Sequence, residues 1–280
     1  MNPVENNITE TEVTPVIPDM SGRLPFRLGT SSYIIPADIE PNVRALAPLI
    51  DDIELVIFES DEFSNLPDKE IVRNLAEIKG RNNLSFTVHL PLDSNLGDPD
   101  EAVREASVGK CARVFERVCS LEPHAYLLHL HGEKRGNEPA KDIGKWQKRL
   151  SRSVETLISE HGFPAHKVAV ETLDYPFDLA QPIIREYGLS VCVDVGHLLL
   201  AGRDPIACIN DNRRNCRVIH LHGVRQGKDH VDIADMDTVF LNELNDAVAD
   251  GHGPECVVTL EVFDKVILQK CVAKLAGIWL

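Results

Sequence analysis

No stretch of this sequence approaches the ~20 consecutive apolar residues that a membrane-crossing helix needs. The N-terminus also has no basic segment leading into an apolar one, so neither a membrane span nor a secretory leader is expected. Cysteine lacks any paired spacing. Cys111, Cys119, Cys192, Cys208, Cys216, Cys256 and Cys271 are odd in number and form no CxxC, which speaks against a zinc ribbon or a disulfide framework. Several sit in apolar runs, as buried thiols of a reducing compartment do, and a cytoplasmic location is expected. Basic charge is scarce: Lys+Arg of 29 against Asp+Glu of 44 gives a net charge of -15. Proteins that grip long polyanions carry the opposite excess, so no extended nucleic acid partner is expected. The Gly-rich GxGxxG turn of a dinucleotide-binding open sheet is missing too, because the first apolar run leads into Gly29-Thr30-Ser31-Ser32.

What is present is a chain of 280 residues, 43% apolar, long enough to bury one large core. Residues 1–22 are rich in Asn, Glu, Thr and Pro without apolar period and are expected to be a disordered tail. Over residues 23–280, short β-branched runs alternate with stretches of helical period and no composition break divides them. Strands are predicted over 26–31, 53–59, 84–90, 125–131, 167–172, 189–195, 217–222 and 256–262. Helices are predicted over 41–50, 68–81, 99–121, 142–161, 177–187, 205–212, 235–250 and 265–276. Proline or an acidic residue opens several of them, as helix N-termini prefer. Eight βα units in about 250 residues predict an α/β fold, a single-domain (β/α)8 TIM barrel with its active site at the C-terminal strand ends.

Those ends carry ligand-type side chains. His-Leu-His-Gly occurs at His129–Gly132 and again at His220–Gly223, and His89, Glu171, Asp194 and Glu261 close other runs. Strand side chains alternate faces. The inward face therefore takes Thr87 with His89, Ala169 with Glu171, Cys192 with Asp194, Val218 with His220, and Thr259 with Glu261. On the fourth strand His129 and His131 share that face; His129 lies at the depth of Glu171 and His220, and His131 also fits. A lone strand-end His or acid commonly caps the next turn. Several carboxylates and imidazoles crowded into one mouth are different, because desolvation and like-charge repulsion would cost several kcal/mol unless divalent cations were present. A thiol-free His and carboxylate set suits zinc or manganese, and a surplus of ligands over one tetrahedral ion points to two or three ions.

At these residues the sequence resembles the xylose-isomerase-like TIM barrels of the AP endonuclease superfamily, and within them the endonuclease IV type of metal-dependent phosphodiesterase, over residues 26–279. The resemblance implies that His89 and His129 (or His131) hold a first zinc and that Glu171 bridges to a second held by Asp194, His220 and Glu261. It implies a third zinc on His197, from the Asp-x-x-His motif, and His230. The third site departs from the family pattern, since Asp229 adjoins His230 instead of preceding it by two residues, and Ala234 stands where the family has its first glycine. Glu171, Glu261 and Asp194 are the implied catalytic carboxylates, placing and orienting the attacking water. The start at Leu28–Tyr33, the Glu59-ended second strand and the paired His-Leu-His-Gly motifs are most similar to the cobamide-remodelling phosphodiesterases. That likeness implies hydrolysis of the nucleotide-loop phosphodiester of a corrinoid, with Glu59 and Tyr33 as substrate-binding residues; for Glu59, an ion pair with a neighbouring Lys or Arg is the competing reading. Tyr33, Ile34, Leu92, Leu96, Leu198 and Leu199 are the apolar candidates for a surface that accepts the macrocycle. A sugar isomerase or epimerase needs one metal and two carboxylates and is the alternative in another reaction class. An AP endonuclease would need basic or aromatic wedges, of which only Lys134 and Arg135 are in evidence.

Overall fold

The computed structural model describes residues 17–60, 62–249 and 256–280. Residues 1–16 of the expected tail and Asp250 of the expected helix over 235–250 lie outside them. The strands are β1 (Arg27–Ser31), β2 (Asp52–Val56), β3 (Ser85–His89), β4 (Ala125–Leu128), β5 (Val168–Glu171), β6 (Ser190–Asp194), β7 (Cys216–Leu221), β8 (Gly223–Arg225), β9 (Lys228–Val231) and β10 (Val257–Leu260). The α-helices are α1 (Ile39–Leu46), α2 (Lys69–Asn82), α3 (Glu101–Val118), α4 (Ile143–Ser159), α5 (Gln181–Tyr187), α6 (Val195–Leu200), α7 (Pro205–Asp211), α8 (Thr238–Ala249) and α9 (Lys265–Trp279). The order β1-β10-β7-β6-β5-β4-β3-β2 closes a parallel barrel, the predicted TIM barrel, while β8 and β9 form a separate antiparallel hairpin.

Strand alternation sorts two cores. Outward residues such as Ile53, Leu55, Phe86, Val170 and Ile219 pack under the helices in one continuous cluster. Ala125, Leu127, Ala169, Cys192 and Val218 make a second, smaller cluster inside the barrel. Each large apolar side chain so buried contributes roughly 1.5–3 kcal/mol. The acidic helix openings are N-caps: Asp68, Asp100, Asp142, Asp204 and Asp264 accept backbone N–H bonds at the starts of α2, α3, α4, α7 and α9. Such caps are worth ~1 kcal/mol each.

Three expectations need correction. The tail does not extend to Gly22, because Ile17 and Met20 are buried in the core and the Gly22 N–H donates to Asp51 at 2.8 Å. The second strand stops at Val56, short of Glu59, which is left in a loop. The β8–β9 hairpin falls where no strand is expected; its turn places Gln226 and Gly227 at φ 53° and 75°, the left-handed pair that a tight hairpin needs.

Low in the barrel interior sits Asp52, fully buried. Burial pushes its carboxyl up to about 6, against hydrogen bonds from Ser85 and Thr87 and the charge of Arg27, all of which pull it down. A folded value above the ordinary 3.8 means that its stability contribution is complete below pH ~4 and is lost as pH rises through about 6. Asp52→Asn removes that loss. The variant should exceed the parent in stability by about 1–3 kcal/mol at pH 8, with the gap closing at pH 4.5; denaturant melts at both values check this, and a pH-independent gap would refute the desolvation account.

Candidate metal centre

Strand ends and the loops just beyond them converge on one buried carboxylate, that of Glu171 at the end of β5. Its Oε2 lies 2.9 Å from His129 Nε2, 3.6 Å from His89 Nε2 and 3.7 Å from His220 Nδ1. Its Oε1 lies 3.4 Å from His197 Nδ1. The two oxygens thus face different imidazoles, as a bridging carboxylate requires. His89 Nδ1 is 2.8 Å from the Leu90 carbonyl, so it carries a proton, and Nε2 is the nitrogen that turns its lone pair toward Glu171 when the ring is neutral.

His220, which faces the same Oε2, has its Nδ1 3.1 Å from Glu261 Oε2 and 3.6 Å from Asp194 Oδ2. Asp194 ends β6 and caps α6 at once: its Oδ1 accepts the His197 N–H at 2.6 Å, which turns the His197 ring back over the site. Its Oδ1 is also 3.2 Å from His222 Nε2. His222 Nδ1 accepts the His230 backbone N–H at 3.0 Å, so its Nε2 carries a proton for Asp194. The α6 start can press this close because residue 196 is glycine; a Cβ there would collide with the His222 ring.

His230 comes from the hairpin. Its backbone is left-handed, φ 53°, and its ring stacks on His222 with centroids 4.2 Å apart. Nε2 lies 3.2 Å from Glu261 Oε2 and Nδ1 lies 3.2 Å from Asp229 Oδ1. Asp229, adjacent in sequence, therefore faces the outer nitrogen of His230.

The donor set suits divalent cations, and two atoms test that directly. His220 Nδ1 and Glu261 Oε2 are both fully buried, 3.1 Å apart, and neither has a hydrogen-bond partner among the described residues. A buried nitrogen and a buried carboxylate oxygen that converge in this way need a positive charge between them, either a proton or a metal ion. His89, His129 and Glu171 form one group whose ligand atoms lie within 4.8 Å of one another; Glu171, Asp194 and His197 form another, and His197, His222 and His230 a third. Without ions, protons supply the compensation. Burial alone would lower His89 and His197, yet Glu171 and the neighbouring carboxylates raise them to about 9 and about 10. His220 is likewise held well above its ordinary value, against burial, by the carboxylates of Glu261, Glu54 and Glu171. Burial would raise Glu171 and Glu261, but the surrounding imidazoles hold both well below the carboxylate range.

The sequence-predicted residues His89, His129, Glu171, Asp194, His197, His220, His230 and Glu261 are brought together. His131 is not. Beyond Leu128 the chain leaves the ladder, strand alternation ends, and the His131 Nε2 donates to the Leu92 carbonyl at 2.9 Å. Glu59 is also elsewhere, tied to Arg113 at 2.9 Å and to Ser64, so the ion-pair reading holds for it. Tyr33 is exposed and edge-on to Phe58 at 6.1 Å. Of the other apolar candidates Leu92 and Leu199 are exposed, whereas Ile34, Leu96 and Leu198 are core. Two interior residues are not predicted from the sequence. Glu54 in β2 is fully buried with its Oε2 2.9 Å from His220 Nε2; its only signal is a charge alternating with apolar Ile53 and Leu55. His222 shares the face of His220 two residues on.

Residues 45–270 match the xylose isomerase-like TIM barrel family, and the chain belongs to it. No curated protein sequence gives a significant match. Similar solved structures include a D-tagatose 3-epimerase-like protein, with TM-score 0.71 and 16% identity over 90% of this chain and 96% of that one. D-psicose 3-epimerase with D-tagatose from Clostridium cellulolyticum has TM-score 0.68 and 15% identity over 90% and 98%. Endonuclease IV from Thermus thermophilus has TM-score 0.67 and 16% identity over 90% and 98%. At such identity the likeness establishes the barrel, and it spans sugar epimerases and an endonuclease alike. Among the described residues no helix is long and apolar enough to cross a membrane.

Two outcomes follow from the charge arrangement. Histidines with raised folded values contribute stability that is complete below their ordinary 6.5 and is lost as pH rises through about 9 and 10. Metal-free protein should therefore lose about 5 °C of melting temperature between pH 7.5 and pH 10 beyond any loss in metal-loaded protein; equal losses would show that the imidazolium charges do not hold the site together. Glu171→Gln keeps the shape but not the bridging charge. It should lower bound divalent metal by at least one ion per chain and activity by roughly 100-fold or more, with the circular dichroism spectrum unchanged. Elemental analysis of protein purified without chelator reads the first effect, and an unchanged metal content would rule out a bridging role.

Proposed function

We propose that this protein is a metal-dependent phosphodiesterase that hydrolyses the nucleotide-loop phosphodiester of a corrinoid. The observation that carries the reaction class is the convergence of more donors on Glu171 than one ion can use: His89, His129 and His220 face its Oε2, His197 faces its Oε1, and Asp194 and Glu261 join through His220. An epimerase needs one ion and two carboxylates for proton transfer, which Glu171, Asp194, His220 and Glu261 would supply among themselves; the additional His89 and His129 favour a second ion. Zinc or manganese suits these nitrogen and oxygen donors. When bound, two or three such ions neutralise the phosphoryl oxygens and acidify a water. Glu171 holds that water among these donors and Asp194 orients it. Glu261 Oε2, 3.1 Å from His220 Nδ1 and 3.2 Å from His230 Nε2, would help to hold the ions, and the water's proton would leave through this imidazole and carboxylate cluster. The P–O bond to the water oxygen forms as the ester P–O bond breaks, and the departing oxygen takes up a proton.

Support for the substrate comes from charge and from the rim. At a net charge of -15 the chain lacks the counterion-release drive for long polyanions, whereas a corrinoid brings one phosphodiester and a large face to bury. Exposed Tyr33, Phe63, Leu92, Leu199 and Phe263 stand on segments that follow barrel strands, with Phe263 5.2 Å from the His230 ring. The sequence likeness to cobamide-remodelling phosphodiesterases points the same way. The epimerase reading retains one specific support, that Glu171 and Glu261 flank the same His220 ring.

Incubating zinc- or manganese-loaded protein with a cobamide, an abasic-site duplex and a panel of ketoses separates these readings by product mass. The cobamide should yield two fragments whose masses sum to the substrate plus one water, with DNA and ketoses unchanged. Cleaved DNA or an epimerised ketose beside intact cobamide would overturn the assignment.

A further inference from the structure

Glu54 lies in the middle of β2, in register with Ser31 of β1 and Thr87 of β3, and its side chain is sealed inside the barrel. Its Oε2 is 2.9 Å from Nε2 of His220, a residue 166 positions away that is equally buried. Its Oε1 has no hydrogen-bond partner among the described residues, and Glu54 forms a group with His89 and Glu261 whose ligand-type atoms lie within 4.8 Å of one another. A neutral imidazole has one N–H and one lone pair, and an ionised carboxylate only accepts. The proton of neutral His220 is therefore on Nε2, and the lone pair is on Nδ1. That lone pair faces Glu261 at 3.1 Å, Asp194 at 3.6 Å and Glu171 at 3.7 Å, and has no hydrogen bond.

We propose that Glu54 is the positioning residue of the metal centre: it fixes the tautomer and tilt of His220 so that Nδ1 is presented to a divalent ion held with Asp194, Glu171 and Glu261. The hydrogen bond also increases the electron density at Nδ1, as carboxylates behind metal-bound histidines do. Its charge completes a balance as well. Glu54, Glu171, Asp194 and Glu261 are the buried carboxylates around the His220 and His89 rings, four negative charges that two divalent ions neutralise while the histidines stay neutral. The inference rests on the metal centre and is independent of the substrate.

Glu54→Gln and Glu54→Leu test it by zinc content, zinc affinity in competition with a chelator, and NMR of the His220 Nε2–H in zinc-loaded protein. The Gln carbonyl still accepts the Nε2–H, so affinity should fall less than roughly 10-fold and the downfield Nε2–H signal should persist. Leu accepts nothing: affinity for one ion should fall roughly 10- to 100-fold, the signal should move upfield, and full zinc content should return at saturating zinc. Metal-free melting curves establish that both variants fold. The proposal is overturned if the Leu variant binds zinc as the parent does, or if Gln and Leu weaken zinc equally. It is also overturned if either variant lacks an ion at saturating zinc, which would make Glu54 a ligand. Failure on cobamide with these results intact would sink the substrate assignment alone.

Discussion

Charge buried in a closed space governs this molecule. Glu54, Glu171, Asp194 and Glu261 share the interior of a barrel with His89, His129, His220 and His222, most of them with almost no solvent contact. Each ionised group removed from water would cost several kcal/mol if left alone. The structure avoids that by mutual pairing, with every one of these carboxylates within 3.2 Å of an imidazole nitrogen. Protons on the histidines perform the compensation in the metal-free protein, and divalent ions can take their place. Because ions and protons compete for the same nitrogens, metal occupancy, stability and pH are linked through one cluster.

The scaffold is arranged to make that cluster rigid. Parallel strands deliver ligands at matching depth, as in the register pair Asp194 with His220. Around them stands a shell of neutral supports. Thr172 Oγ1 accepts the Asp194 N–H at 2.8 Å, and the Leu90 carbonyl sets the His89 tautomer. The hairpin adds what a strand end does not reach. By looping back over the mouth with a left-handed residue at His230, it stacks that ring on His222 and sets it against Glu261. At the mouth Phe263 packs against the His230 ring, with centroids 5.2 Å apart.

Strands and ligands are legible where periodicity is. Alternation inside a regular strand puts Glu171, Asp194 and His220 on one face, and the ladder keeps them there; Glu261 and His129, one residue past their strands, still follow it. Farther from a ladder's end the rule fails. β4 stops at Leu128, so His129 and His131, equal by alternation, diverge: one ring meets Glu171 and the other meets the Leu92 carbonyl. Glu59 follows a strand that ends early, at Val56, and in its loop it pairs with Arg113. Glu54 shows only as a charge between Ile53 and Leu55, and a carboxylate in the middle of an apolar strand has no meaning until its partner is known.

Eight βα units, the acidic helix caps, the inward face of most strands and the metal-ligand character of their ends follow from the sequence alone, because each depends on residues a few positions apart. Hydrogen bonding and side-chain alternation act over that range. Which histidine of a pair faces Glu171, how the hairpin returns over the mouth, and the contact between Glu54 and His220 across 166 positions were decided only by closure of the barrel. Closure brings distant strand ends to hydrogen-bond distance, and in a space without water each buried charge must take its partner from whatever those ends supply.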